Sequence, residues 1–258
     1  MTDPLARWYE THGRHDLPWR HTRDPWAVLV SEVMLQQTQV ARVLAAWPEF
    51  IGRFPEPTVM ADAGVGAVIG AWGRLGYPRR ARRLWESAVL IARTGWPEEL
   101  TELPGVGRYT AGAIRAQADN ANVPAVEVNV RRVVQRVDGT RLSERAAEDA
   151  SVRVGRGLRG RDRLLALMDL GATVCTPRAP TCTSCPLRRR CATRGPLPDE
   201  ITARQPAFEG SFRQRRGMVM ARLRAEARVA IAELDAPALE SLVRDGLAVV
   251  SDTDARLP

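Results

Sequence analysis

Apolar residues recur at helical spacing along most of this chain. WAVLVSEVMLQQ (26–37), PTVMADAGVGAVIGAW (57–72) and RARRLWESAVLIAR (80–93) each place them three and four residues apart. GRYTAGAIRAQA (107–118), NVRRVVQRV (129–137) and RDRLLALMDLGATV (161–174) continue the pattern, with Pro and Gly as breaks. No series of alternating strands is read before residue 200. The pattern therefore predicts a mainly α-helical fold. Periodicity fades at about residues 192–210, where prolines and glycines mark a linker. Beyond it, RRGMVMARLRAEA (215–227) and LDAPALESLVRDGLAVVS (234–251) predict two helices and a short strand, an order that resembles a small winged-helix module.

Composition narrows the class. The chain has 258 residues and is 45% hydrophobic, enough for one large or two modest domains. Its net charge of +8 favours a polyanionic partner, most simply nucleic acid. Every basic side chain other than histidine is Arg, because the sequence contains no lysine. A Schiff base between the protein and an opened sugar is thereby excluded for lysine. No apolar run reaches the roughly 18 residues of a membrane span. The charged start MTDPLARWYETHGRHD lacks an apolar signal core, which predicts a cytoplasmic protein.

Three short patterns carry chemistry. Cys175, Cys182, Cys185 and Cys191 are the only cysteines, spaced C-x6-C-x2-C-x5-C. Four thiolates so close can wrap a tetrahedral zinc ion or an iron–sulfur cubane, and spacing does not separate the two. Arg188, Arg189 and Arg190 lie inside this loop, where they suit a phosphate partner. LPGVGRYTAGAI (103–114) places Gly105 and Gly107 before a helix start. Such a turn can present backbone N–H groups to a DNA phosphate without reading bases.

Taken together, these motifs resemble the helix–hairpin–helix DNA glycosylases, and most closely the adenine DNA glycosylase family. The matching segments are LPWR (17–20), SEVMLQQTQV (31–40), GRLGYPRRARRL (73–84), LPGVGRYTAGAI, NVRRV (129–133), LMDLGATVC (167–175) and the cysteine loop. The resemblance implies a [4Fe-4S] cluster on the four cysteines. It implies two helical lobes with a DNA groove between them. One is a six-helix bundle over 22–128; the other joins 1–21 to 129–195 and carries the cluster. A linker over 196–210 and a small module over 211–258 complete the expected organisation. The tail is too short for the family's usual 8-oxoguanine-reading domain, and resembles that of the short actinobacterial-type members.

The resemblance also implies roles. Glu32 matches the general acid that protonates adenine N7. Tyr109 stands where bifunctional relatives carry a nucleophilic lysine, so no lyase step is expected. Asn129 matches an asparagine that orients the carboxylate or water, and it also reads as a helix N-cap. Arg20 and Trp26 match residues lining the adenine pocket. Gln36, Gln37 and Thr38 match residues beside the flipped base and the opposite 8-oxoguanine, and Leu75 and Tyr77 match the intercalating wedge. The implied partner is double-stranded DNA carrying mismatches or 8-oxoguanine, bound by a monomer.

Two departures stand out. The family's catalytic Asp is here Glu127, in register eighteen residues after Tyr109, and it is followed by bulky Val128. One added methylene moves the carboxylate by roughly 1.5 Å. Gln117 and Asp119 replace positions commonly aromatic. Asp119 reads as solvent-exposed. The implied activity is monofunctional excision of adenine opposite 8-oxoguanine or guanine. The alternatives are a thymine glycosylase for T:G pairs, or a mismatch-binding protein impaired by Glu127.

Overall fold

The computed structural model describes residues 3–198, 200 and 207–258. It divides into two compact units, Met1–Glu32 with Val106–Ala203, and Val33–Gly105 with Arg204–Pro258. The expected helical character holds. Among the described residues no strand precedes residue 200, and no helix is long and apolar enough to cross a membrane. Much of the expected linker, at 199 and 201–206, lies outside the described residues.

The first unit is built from α1 (Pro4–His12), most of α2 (Pro25–Leu35), α6 (Arg108–Ala118), α7 (Val128–Asp138), α8 (Glu144–Val154) and α9 (Gly160–Thr173). Helix α9 buries Leu164, Leu165, Ala166, Leu167 and Leu170 together with Asp169. A helix buried over most of its surface is a core helix, and α1, α6 and α7 pack against it. Val130, Val133 and Val134 of α7 and Ala113 and Ala116 of α6 complete this core. Asp3 caps α1 by accepting from the Leu5 N–H. Helix α8 leaves no strong apolar pattern in the sequence, because its buried positions are mostly small, Ala147 and Ala150.

The second unit holds α3 (Val40–Arg53), α4 (Pro57–Trp72), α5 (Arg79–Thr94), α10 (Phe212–Ala225) and α11 (Ala236–Arg244). Phe50 meets Phe54 and Trp72 edge-on in its core. Helix α3 runs through Pro48. Helix α4 breaks at Gly64, whose φ of 79° is left-handed.

Three short strands, β1 (Val229–Ala230), β2 (Val249–Val250) and β3 (Asp254–Arg256), form an antiparallel sheet in the order β1-β3-β2. The sequence predicted one strand here. Segments of two and three residues are too short for alternation to register. The sheet and its two helices pack around Leu223, Val229, Leu242 and Ala255. Asp245 pairs with Arg79, and its carbonyl accepts from Nη1 of Arg82 at 2.6 Å, so the tail is tied to α5.

Candidate active site

Asp24 caps α2 through the N–H groups of Trp26 and Ala27. Two turns further on, Glu32 is buried, 6% exposed. Tyr109, in the first turn of α6, donates its hydroxyl to Oε2 of Glu32 at 2.9 Å. Gln117, two turns along the same helix, donates Nε2 to Oε1 at 2.7 Å. Burial raises the Glu32 pKa, the Gln117 and Tyr109 hydrogen bonds oppose that rise, and the nearby charge of Glu127 adds to it. The Tyr109 hydroxyl is held well above its usual range by burial and the two carboxylates, so it stays a donor.

Glu127 is the N-cap of α7. Its Oε1 accepts from the Val130 N–H at 2.9 Å. Its Oε2 accepts from the Asn129 N–H at 2.8 Å and from Asn129 Nδ2 at 3.0 Å. The cap is therefore Glu127 and not Asn129, which lies inside the helix. The longer side chain folds back and places both oxygens on its own helix terminus, where the dipole favours an anion. Burial raises the Glu127 pKa, and these N–H groups and Arg132 work against the rise. Val128 beside it is 69% exposed.

Asn129 is fixed from behind. Its Oδ1 accepts from Nη2 of Arg132 at 2.6 Å. Arg132 also donates to the carbonyls of Gly171 at 2.6 Å and Cys175 at 2.7 Å. A Cβ on Gly171 would sit 2.6 Å from Cβ of Asn129, so only glycine allows this approach of α9 to α7.

Arg20 forms a paired hydrogen bond with buried Asp169, Nη1 to Oδ2 at 2.6 Å and Nη2 to Oδ1 at 2.7 Å. Arg14 adds its Nε to Oδ1 at 2.7 Å. Burial works to raise the Asp169 carboxyl, but the Arg20 and Arg14 guanidinium groups prevail and hold it below its usual range. Trp26 is 2% exposed and belongs to the core. Asp119 is exposed, as expected.

In the second unit, Gln37 and Tyr77 both take left-handed backbone, at φ 54° and 48°. The side chain that ties their loops together is Arg80. It donates to the carbonyls of Val33, Met34 and Gln36 on one side, and of Leu75 and Gly76 on the other. It also bonds Thr38 Oγ1 at 2.9 Å. Leu75 is buried under this network, whereas Tyr77 is exposed. Gly105 has φ 82°, a conformation that side chains disfavour. In the first unit, Gly107 is the N-cap of α6 and supplies no side-chain acceptor to its first turn.

The four cysteines, none in a disulfide, line one cavity with Arg136, Val174 and Pro180. No three Cys, His, Asp or Glu among the described residues are placed to hold a single metal ion. Four thiols around one cavity are the soft donor set that an iron–sulfur cluster or a zinc ion takes. Arg136 Nη1 lies 3.4 Å from Sγ of Cys175, and the Arg194 N–H 3.4 Å from Sγ of Cys191.

The residues missed in the sequence are Gln117, Arg132 and Arg80. In the sequence, Gln117 stands out only as a polar replacement. The two arginines lie in basic runs, where nothing local separates a buried guanidinium from a solvated one.

Residues 30–154 match the HhH-GPD superfamily of base excision DNA repair proteins. An adenine DNA glycosylase of Mycobacterium tuberculosis is 44% identical over 98% of this chain and 91% of its own length. Its counterpart in Mycolicibacterium smegmatis is 41% identical over 94% of this chain and 90% of its own. A thymine-DNA glycosylase of Aeropyrum pernix is 35% identical over 72% of this chain and 91% of its own. Among solved structures, a thermostable thymine-DNA glycosylase superposes with a TM-score of 0.68 at 28% identity, covering 74% of this chain and 93% of its own. An endonuclease III–DNA complex reaches 0.64 at 22% identity, over 74% and 92%, a likeness of fold.

Proposed function

The chain belongs to the adenine DNA glycosylase family, and from that premise we propose that it excises adenine mispaired with 8-oxoguanine or guanine from double-stranded DNA. The observation that carries this reading is the pair of carboxyls in unlike settings. Glu32 is buried with a raised pKa, and Glu127 rests on a helix N-terminus. A buried carboxyl keeps its proton to higher pH and can deliver it to the departing base, here adenine N7. The helix N–H groups on Glu127 favour its charged form against burial, and the charged form can stabilise positive charge developing on the sugar. Asn129 orients that carboxylate. Tyr109 holds the acid and cannot form an imine, so the enzyme is a glycosylase without a lysine-based lyase step.

The base must leave the stack first. Exposed Tyr77 is suited to fill the gap, with Gln36, Gln37 and Thr38 beside the pair. Gly105 and Gly107 present the α6 terminus to a phosphate. Cys175, Cys182, Cys185 and Cys191 would hold a [4Fe-4S] cluster. When bound, the cluster supplies a rigid, charged pin for the arginine-bearing loop. Arg188, Arg189 and Arg194 line a basic cavity beside Cys185 and add attraction for DNA. We place the protein in the cytoplasm, on nucleoid DNA, as a monomer.

The capped state of Glu127 also favours a second reading, a mismatch-binding protein with impaired catalysis. Single-turnover reactions on duplexes with A:8-oxoG, A:G and T:G separate the possibilities. Excision of adenine from the first two is expected. Excision from T:G alone supports a thymine glycosylase, and tight binding without excision supports the mismatch binder.

A further inference from the structure

We propose that Gln117 is a positioning residue for proton transfer, holding Oε1 of Glu32 so that the acidic proton is directed away from the protein and toward the base. The proposal rests on the glycosylase reading of Glu32. Its geometry does not depend on that reading.

Glu32 has two oxygens and almost no contact with solvent. Oε2 is held by Tyr109 at 2.9 Å. With an apolar or aromatic residue at position 117, Oε1 would have lost this partner inside the protein. A buried polar atom left unpartnered is costly. Gln117 supplies the missing donor at 2.7 Å and is itself 2% exposed.

The position of Gln117 is fixed. Its carbonyl accepts from Nη1 of Arg161 at 2.6 Å, and Nη2 of the same arginine donates to the Arg20 carbonyl at 2.5 Å. The reach of the amide to Glu32 is therefore set by backbone anchoring at the end of α6.

The chemistry follows from donor and acceptor roles. An amide nitrogen only donates, so it cannot take the proton of Glu32. A proton carried on Oε1 must point elsewhere, toward a bound base. The amide also favours the ionised carboxyl and moderates the effect of burial, so that the acid gives up its proton more readily. The charged and titratable groups acting on Glu32 are Tyr109 from α6, Glu127 at the start of α7, and Arg20, itself paired with Asp169 of α9. Of the two groups that hydrogen-bond Glu32, Gln117 is the one that does not titrate.

The test uses the full chain with 13C-labelled glutamate carboxyls. The Glu32 signal is isolated by infrared difference against Glu32→Gln and titrated in the parent and in Gln117→Met, which keeps the length and removes the donor. A hydrogen bond to a carboxylate favours the charged form by roughly tenfold or more. The Gln117→Met midpoint should therefore rise by about one pH unit. The alkaline limb of the single-turnover pH–rate profile should move with it, and the maximal rate should fall about tenfold. Gln117→Leu serves if Gln117→Met folds poorly. An unmoved midpoint in a protein that still excises adenine overturns the Gln117 proposal and leaves the glycosylase reading intact. A raised midpoint in Gln117→Met alongside a parent protein that excises nothing overturns the glycosylase reading and, with it, the catalytic role given to Gln117.

Discussion

Glu127 differs from an aspartate by one methylene, and that methylene decides where its oxygens go. With the longer chain, both oxygens reach the N–H groups of Asn129 and Val130. An Asp in its place would draw the carboxylate back toward the backbone by about one bond length, roughly 1.5 Å, to the position that the family resemblance implies. Glu127→Asp should raise the single-turnover rate, by roughly ten- to a hundredfold given the cost of an ångström's misplacement. A lower rate would mean that the pocket, with Val128 beside it, is shaped around the longer side chain. The two raised pKa values also set a pH dependence. In the proposed mechanism Glu32 acts protonated, so the rate should fall as pH rises through the Glu32 pKa, which burial raises. The same mechanism takes Glu127 as ionised, so the rate should also fall as pH drops through the Glu127 pKa, likewise raised by burial. A bell-shaped profile is expected, with apparent midpoints that belong to the interacting pair. Glu32, Tyr109 and Glu127 were legible because each sits in a recognisable local motif. The amide on Glu32 was not legible, because Gln117 lies 85 positions away and only folding joins them.

At the scale of elements, the core of the first unit depends on how closely α7 and α9 approach. Gly171 makes that approach possible against Asn129. Gly171→Ala should destabilise the chain by about 1–3 kcal/mol, the usual cost of overpacking, measured by urea unfolding. The same change displaces Asn129 and should slow excision beyond any loss of folded protein. An unchanged rate would detach Asn129 from catalysis. Six of the helices were legible before α10, because apolar positions recur strongly in them. Helix α3 was obscured by Pro48 and α8 by its small buried side chains. The strands β1 and β3 lie in a tail whose pattern is dominated by its two helices.

At the scale of the whole molecule, a net charge of +8 carried entirely by arginine suits a polyanionic partner. The four-cysteine cavity adds a second global property. Protein purified without oxygen should be brown and carry about four irons per chain. Stoichiometric zinc with no iron would refute the cluster assignment. The central claim, that the whole chain is an adenine glycosylase driven by one buried acid, rests on Glu32. Its most direct test compares the parent and Glu32→Gln in single-turnover reactions on an A:8-oxoG duplex, with duplex affinity measured alongside. Loss of excision with affinity kept within a few fold is expected, because the proton is needed in the transition state more than in binding. Excision by Glu32→Gln at the parent rate would contradict the account.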